Sequence, residues 1–67
     1  MQTKLGHRIK ELRIQRGYSQ ERFAELIGMD RSYYTTIESG KRNATIKKLA
    51  DIADGFGITL SELFEGI

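Results

Sequence analysis

The chain has 67 residues, a net charge of +2, and neither cysteine nor proline. This length allows one small domain, and without cysteine that domain cannot rely on disulfides or on cysteine-ligated zinc. No apolar run approaches the roughly 18 residues of a membrane span, and the N-terminus lacks the apolar segment of a signal peptide, so we expect a soluble cytoplasmic protein.

The charges are distributed unevenly along the sequence. Residues 1–22 carry a net charge of +4, residues 23–49 a net charge of +2, and residues 50–67 a net charge of −4. A basic body with an acidic C-terminal quarter indicates a polyanionic partner on one side of the molecule. A charged surface that is merely solvated would show the same asymmetry.

Apolar residues recur with the period of an α-helix throughout the chain, whereas the alternation typical of a β-strand is weak. They predict five helices, at about 4–16, 19–27, 30–39, 45–55 and 59–65. In the first helix, Leu5, Ile9 and Leu12 form the apolar stripe, and Gly17 follows as the residue that ends it. Short connections favour a compact all-α five-helix bundle that forms one domain over residues 1–67.

Polar residues at the predicted helix starts match known capping signals. The expected N-caps are Ser19, Asp30, Thr45 and Thr59. Thr59 and Glu62 also have the spacing of a capping box, and Tyr18 and Phe23 have the spacing of a hydrophobic staple.

The apolar stripes of the five helices define the expected core. Its candidates are Leu5, Ile9, Leu12, Phe23, Ala24, Ile27, Tyr34, Ile37, Ile46, Leu49, Ile52, Ala53 and Phe56. Gly55 falls in the last turn of the fourth helix, where it costs about 1 kcal/mol relative to alanine. The pattern offers no reason for this glycine.

Residues 20–39, QERFAELIGMDRSYYTTIES, are the most informative segment. They predict two short helices joined by a tight turn, which is the layout of a helix-turn-helix whose second helix enters the DNA major groove. Ala24 is small where the two helices would meet, and Gly28 supplies the positive φ that such a turn requires.

The third helix has a small, polar outward face opposite Tyr34 and Ile37. That face consists of Ser32, Thr35, Thr36 and Ser39, with Arg31 at its N-terminal border. An arginine can donate two hydrogen bonds to guanine, hydroxyl groups can reach base edges or phosphates, and a threonine methyl group can contact thymine. The face therefore predicts base contacts, although an ordinary solvated face would have a similar composition.

Residues on both sides of this segment suit contacts to the DNA backbone. Lys41, Arg42 and Asn43 follow the third helix directly, and two cations and an amide just past a helix end can contact phosphates. Gln20, at the first position of the second helix, can donate to a phosphate beside the free backbone N–H groups there. Its alternative role is that of a residue that favours helix formation.

The last helix presents an apolar stripe at i, i+3, i+4 and i+7, formed by Leu60, Leu63, Phe64 and Ile67. One small module discriminates few base pairs, whereas a twofold-related pair contacts two half-sites about 34 Å apart. We therefore predict a homodimer that uses this stripe. Alternatively, the stripe caps the core, and both roles are compatible if Leu63 points inward.

From Leu5 to Phe64, the chain resembles the Cro/repressor-type (xenobiotic-response-element) family of helix-turn-helix domains, which share a lambda-repressor-like fold. The segments that carry the resemblance are LGHRIKELRIQRGYSQERFAELIG, IESGKRN and FGITLSELF. Within that family, DRSYYTTIESGKRNATIKKL is most similar to the controller proteins of restriction–modification systems. This resemblance implies a homodimeric transcriptional regulator that binds a pseudo-palindromic double-stranded DNA operator near its own promoter.

The resemblance also implies roles for individual residues. Base-contacting positions fall on Arg31, Ser32 and Thr36, positions that contact base or backbone fall on Tyr33 and Thr35, and backbone-contacting positions fall on Gln20, Lys41, Arg42 and Asn43. Arg13 and Glu38 fall on a pair that forms an internal salt bridge. A carboxylate beside apolar positions needs such a partner, although Glu38 and Arg13 could also be two exposed, unrelated charges.

Two positions depart from the family pattern. Gly55 replaces the more common alanine, and Tyr34 replaces a smaller aliphatic residue. Its ring then requires local repacking, or its hydroxyl reaches solvent.

Other functional classes are less consistent with the sequence. His7 is the single histidine, and neither a phosphate-cradling loop nor metal-ligand spacing is present, so we expect no enzyme activity, no cofactor and no small-molecule substrate. A phage-type repressor, or an antitoxin-like DNA-binding protein whose main partner is another protein, is the alternative function. RNA polymerase becomes a further partner if binding near a promoter activates transcription. We expect a bacterial or phage-encoded protein associated with the nucleoid.

Overall fold

The computed structural model describes residues 3–67 and contains the five predicted helices. They are α1 (Lys4–Gln15), α2 (Gln20–Leu26), α3 (Arg31–Ser39), α4 (Ile46–Phe56) and α5 (Leu60–Leu63). The all-α prediction is confirmed, and within residues 3–67 there is no β-strand. No helix in this part of the chain is long and apolar enough to cross a membrane.

The capping predictions are confirmed by the hydrogen bonds at the helix starts. The side chains of Ser19, Asp30, Thr45 and Thr59 each accept a backbone N–H from the third residue after them. Both bonds of the Thr59–Glu62 capping box are present. Thr3 caps α1 in the same way, accepting from the Gly6 N–H at 2.9 Å.

The predicted extent of the last helix is wrong. The helix ends at Leu63, Phe64 is its C-cap, and Gly66 has a φ of 82°. Ile67 therefore lies beyond the helix. After Leu63 the N–H groups of Glu65 and Ile67 donate to carbonyls three residues back, those of Glu62 and Phe64, so the α-helical hydrogen-bond pattern does not continue although the apolar period does.

Phe23 lies at the centre of the core and joins three helices. Its ring stacks on Phe56 of α4 with centroids 4.3 Å apart, and it contacts Tyr34 of α3 edge-on at 5.5 Å. Tyr18 packs on it at 5.7 Å, which confirms the predicted hydrophobic staple. The buried hydrophobic residues are Ile9, Leu12, Phe23, Ala24, Met29, Tyr34, Ile37, Leu49, Ile52, Ala53, Phe56 and Leu63.

The core prediction is wrong for Ile46, which is 66% exposed. It has the correct spacing from Leu49 but is the first residue of α4, and the buried residues of this helix begin only at Leu49. Leu5 and Ile27 are only partly buried. Met29 and Leu63 complete the core instead.

Gly55 permits a close approach between α4 and α2. A Cβ atom at this position would lie 2.4 Å from Cγ2 of Ile27 and 3.0 Å from Cζ of Phe23. Both distances are shorter than normal carbon–carbon contacts of about 3.5–4.0 Å. The glycine that the sequence pattern left unexplained is therefore a packing requirement of the helix-turn-helix against α4.

Gly55→Ala should lower the free energy of unfolding by about 1–3 kcal/mol, measured by urea denaturation, because overpacking outweighs the gain in helix propensity. Ala50→Gly on the same helix is the control and measures the propensity contribution of glycine in α4 separately. An increase in the stability of the Gly55→Ala variant would contradict the packing role.

Candidate nucleic-acid interface

Residues 20–39 form a helix-turn-helix held by local hydrogen bonds. Gly28 has a φ of 67°, and the N–H of Met29 donates to the carbonyl oxygen of Ala24 at 2.9 Å. Asp30 then caps α3 by accepting from the N–H of Tyr33 at 3.0 Å. Both Ala24 and Met29 are buried. The turn is therefore fixed to the core, and α3 begins at Arg31.

The helix α3 presents opposite faces to the core and to solvent. Tyr34, Ile37 and Glu38 are buried, whereas Arg31 and Ser32 in the first turn are exposed. The other predicted DNA-contacting residues of α3, Tyr33, Thr35 and Thr36, are half-buried. The N-terminal end of α3 is thus its most accessible part.

The hydroxyl protons of Thr35 and Thr36 are used within α3. Thr35 Oγ1 donates to the carbonyl of Ser32 at 2.9 Å, and Thr36 Oγ1 donates to that of Tyr33 at 2.6 Å. A hydroxyl group has one donor and two acceptor lone pairs. In this arrangement both threonines can offer an acceptor oxygen, which suits a base amino group better than a phosphate.

Arg31 has an acidic neighbour on α2. Its Nη1 lies 3.6 Å from Oε2 of Glu21, and both side chains are more than half exposed. Exposed ion pairs of this kind contribute about 0–1 kcal/mol. The pair can therefore open at little cost when a base competes for the guanidinium group.

The segment after α3 turns sharply and exposes its basic residues. Gly40 has a φ of 78° at the C-cap, and the N–H of Lys41 donates to the carbonyl of Thr36 at 3.0 Å. This left-handed cap ends the helix and releases the chain toward solvent. Lys41, Arg42 and Asn43 are all exposed.

Tyr33 brings two cations from different elements together. The guanidinium carbon of Arg42 lies 5.4 Å from the centroid of its ring, and Nζ of Lys48 on α4 lies 5.9 Å from it. Both distances are within the range of cation–π attraction. The structure thus adds Lys48 to the basic edge, a residue that the sequence analysis did not select.

A buried carboxylate, that of Glu38, joins α1, α2 and α3. Glu38 is 2% exposed, and Arg13 donates to both of its oxygens, from Nε to Oε2 at 2.7 Å and from Nη2 to Oε1 at 3.2 Å. Gln20 donates from Nε2 to Oε1 at 3.1 Å, and the Tyr34 hydroxyl donates to Oε2. We refer to these four residues as the Glu38 network.

The structure thus places Arg13 and Glu38 in direct contact, as the resemblance implied. Tyr34 is fully buried, so its hydroxyl does not reach solvent, and that alternative is wrong. Gln20 has one amide N–H committed to Glu38 and retains the second for a phosphate. Its contact to DNA stays a prediction.

Burial and hydrogen bonding have opposite effects on the pKa of Glu38. Burial alone raises this pKa, but the hydrogen bonds from Arg13, Tyr34 and Gln20 outweigh it and leave the pKa below its ordinary value. The hydrogen bond to Glu38 likewise raises the pKa of Arg13. Burial, followed by the hydrogen bond to Glu38, raises the pKa of Tyr34 well above its ordinary value.

The backbone of α1 lies directly against the end of α3. A Cβ atom on Gly6 would lie 2.3 Å from the carbonyl oxygen of Glu38 and 2.8 Å from that of Ile37. Only glycine allows this distance between the two helices. The same helix carries Arg13, whose Nη1 also donates to the carbonyl of Tyr18 at 2.6 Å.

Two arginines, Arg8 in α1 and Arg16 at its C-cap, bind internal carbonyl groups rather than facing a polyanion. Arg8 donates to the carbonyls of Glu62 and Leu63 at 3.0 and 3.4 Å, and Arg16 donates to that of Phe56 at 3.3 Å. These arginines satisfy carbonyls at the ends of α5 and α4. The net charge of residues 1–22 is therefore larger than the number of positive side chains that this segment leaves available for DNA.

The predicted dimer stripe divides between core and surface. Leu63 is fully buried, which confirms the alternative that it points inward; its side chain fills the core, so its assignment to a dimer interface is wrong. Phe64 is 37% and Ile67 51% exposed. Leu60 is half-buried. These three residues form the C-terminal apolar patch.

Several residues of the candidate interface have no distinctive pattern in the sequence. The packing of α2, α3 and α4 places Glu21 beside Arg31 and Lys48 beside Tyr33. It also connects Tyr34 to Gln20 through hydrogen bonds to Glu38. The sequence does carry one indication for Lys48. Lys47 and Lys48 both lie in the first turn of α4, where a positive charge is unfavourable for the helix dipole, so a role outside helix stability is indicated. In the part of the chain that the structure describes, no group of acidic or histidine side chains could hold a metal ion.

Known proteins share both the sequence pattern and this geometry. The sequence model of the helix-turn-helix family matches residues 9–63. Control protein C.MunI from Mycoplasma sp is 47% identical over 68 residues, which cover 100% of this chain and 92% of that protein.

Two solved structures have the same arrangement of helices. The restriction-modification controller protein C.AhdI from Aeromonas hydrophila matches with a TM-score of 0.87 and 43% identity, over 91% of this chain and 92% of that chain. The controller protein C.Esp1396I, solved as a tetramer with its natural 35 base-pair operator, matches with a TM-score of 0.84 and 37% identity, over 92% of this chain and 82% of that chain.

The lowered pKa of Glu38 predicts a loss of stability in acid. Because its native-state pKa lies below the ordinary value of 4.5, its contribution is complete above pH 4.5 and decreases as the pH falls through the native-state pKa. Glu38→Gln should lower the free energy of unfolding by about 3–5 kcal/mol at pH 7, because the buried guanidinium of Arg13 loses the negative charge that compensates it.

Urea denaturation of both proteins between neutral and acidic pH tests this expectation. The other carboxylates titrate alike in the two proteins, so the difference between their stabilities isolates Glu38. That difference should decrease in acid, and two parallel pH profiles would show that Glu38 carries no titrating contribution.

Proposed function

Because this chain belongs to the helix-turn-helix family, we propose that it is a DNA-binding transcriptional regulator of the restriction–modification controller type. The observation that carries the proposal is the placement of Arg31 and Ser32 on the exposed first turn of α3, whose opposite face is fixed in the core. A helix presented in this way can enter the major groove without rearrangement of the domain. Sequence similarity to C.MunI and structural similarity to C.AhdI support the assignment.

Base recognition is assigned to residues of α3. Arg31 donates to a guanine after releasing Glu21, and Ser32 contacts the neighbouring base edge. Thr35 and Thr36 offer acceptor oxygens and methyl groups, since their hydroxyl protons bond within the helix. Tyr33 contacts either a base or the DNA backbone.

Backbone contacts are assigned to the basic edge and to the start of α2. Lys41, Arg42 and Asn43 contact phosphates on one side of α3, and Gln20 contacts a phosphate on the other. Lys48 extends the basic edge beside Tyr33. It lies in the first turn of α4, where a cation is unfavourable for the helix dipole unless an anion is near.

The regulator is proposed to act as a homodimer. Phe64 and Ile67 of the C-terminal apolar patch are exposed in the single chain, and a twofold axis through the patch pairs it with the same patch of a second copy. Two copies of α3 then reach half-sites about 34 Å apart on a pseudo-palindromic operator. The C.Esp1396I tetramer in complex with its 35 base-pair operator supports the assembly of more than one copy on DNA. Binding near its own promoter, in the cytoplasm, provides autoregulation, and contact with RNA polymerase provides activation.

Selection of bound sites from random duplex DNA tests this function. We expect a palindromic consensus whose half-site centres are separated by about one helical turn. Equal binding to selected and scrambled duplexes at low salt would overturn the proposal.

Arg31→Ala and Arg42→Ala should weaken binding in different ways. Arg31→Ala should cost about 1–3 kcal/mol and relax the preference at one base position, whereas Arg42→Ala should weaken all sequences alike and flatten the salt slope by about one unit. Titrations of the operator and of single-base variants at several salt concentrations measure both effects. Full base discrimination by the Arg31→Ala protein would refute its direct contact with a base.

Phe64→Asp should shift the protein from dimer to monomer in sedimentation and weaken operator binding, because it places a charge in the C-terminal apolar patch. Ile14→Asp is the matched control, since Ile14 is a 57% exposed apolar residue on α1 outside that patch. An unchanged dimer in the Phe64→Asp protein, or equal dissociation in both variants, would place the interface elsewhere.

A further inference from the structure

Tyr34 is a fully buried aromatic residue on the inward face of α3, and its hydroxyl donates to Oε2 of Glu38. Its ring packs edge-on against Phe23, the central residue of the core, at 5.5 Å. The side chain therefore has little freedom to move. A hydroxyl held so firmly fixes the position of the carboxylate that it contacts.

The other oxygen of the same carboxylate fixes the orientation of Gln20. A carboxylate only accepts hydrogen bonds, so the amide of Gln20 must direct an N–H at Oε1 of Glu38, from which its Nε2 lies 3.1 Å away. This contact determines which way the amide is turned. The second N–H and the carbonyl oxygen of Gln20 are then the groups left for DNA.

Arg13 and Tyr34 together hold the carboxylate that Gln20 contacts. It spans both oxygens of Glu38, at 2.7 Å to Oε2 and 3.2 Å to Oε1, and the shorter bond lies on the side that Tyr34 also contacts. The two donors on Oε2 therefore fix one end of the carboxylate. Oε1 then takes a defined position at the start of α2.

We propose that Tyr34 is a positioning residue for DNA binding, which acts through Glu38 to orient the Gln20 amide toward a phosphate. The proposal rests on the proposed function, because it assigns a DNA contact to Gln20. It extends that function to a residue that cannot touch DNA, since Tyr34 is buried on the face of α3 opposite Ser32. The hydroxyl group, rather than the ring, carries this role.

A double-mutant cycle on operator affinity tests the coupling. Tyr34→Phe keeps the ring and removes the hydroxyl, and it should lower affinity by about 2–10-fold, the range expected for one hydrogen bond. In a Gln20→Ala background the same substitution should have no further effect. Because the Gln20 contact is uncharged, the slope of log K against log salt should not change.

The measurements are made where circular dichroism shows every variant to be folded, so a loss of stability alone does not reduce affinity. Tyr18→Phe is the matched control, because Tyr18 also packs on Phe23 but lies outside the Glu38 network. Equal affinities of the Tyr34→Phe and wild-type proteins would overturn the inference. Additive effects of Tyr34→Phe and Gln20→Ala on affinity would also overturn the inference. The proposed function would still hold in that case if the wild-type protein keeps its preference for the operator sequence.

The side-chain amide of Gln20 gives a second measurement that needs no DNA. In the isotope-labelled wild-type protein, the amide proton that is bonded to Glu38 should differ in chemical shift from the same proton of an exposed glutamine and should exchange slowly with solvent. In Tyr34→Phe this proton should approach the values of an exposed glutamine. Identical amide spectra in the two proteins would show that Tyr34 does not orient Gln20.

Discussion

The buried carboxylate of Glu38 is the constraint on which the arrangement of the first three helices depends. An isolated charge at 2% exposure would be strongly unfavourable, so every polar group around it has to be supplied by the fold. Arg13 comes from α1, Gln20 from α2 and Tyr34 from α3 itself. Satisfying one carboxylate therefore fixes three helices relative to one another, and two of them form the helix-turn-helix.

Two glycines allow the helices to come close enough for this arrangement. Gly6 brings the backbone of α1 against the last carbonyls of α3, and Gly55 brings α4 against Phe23 and Ile27 of α2. A domain of 67 residues buries a limited core, so close packing has to compensate for its size. The cost of glycine within a helix is accepted where a side chain would separate two elements.

The positive charges of the chain serve two different purposes. Arg8 and Arg13 of α1, together with its C-cap residue Arg16, satisfy carbonyls and a carboxylate inside the domain. Arg42 and Lys48 gather around Tyr33 at the surface, beside the exposed end of α3. Net charge along the sequence does not separate these two groups. The basic surface proposed to meet DNA is thus smaller than the charge distribution suggested, and it is concentrated around α3.

The sequence by itself determined the features that depend on neighbouring residues. Caps such as Ser19 and Thr59, the turn at Gly28 and the inward stripe of α3 follow from local periodicity and hydrogen bonding, which act over a few residues. Only the tertiary structure decided the burial of Leu63, the exposure of Ile46, the need for Gly55 and the path from Tyr34 to Gln20. These depend on how far one helix lies from another, a distance set by side chains that are remote in sequence and adjacent only after folding.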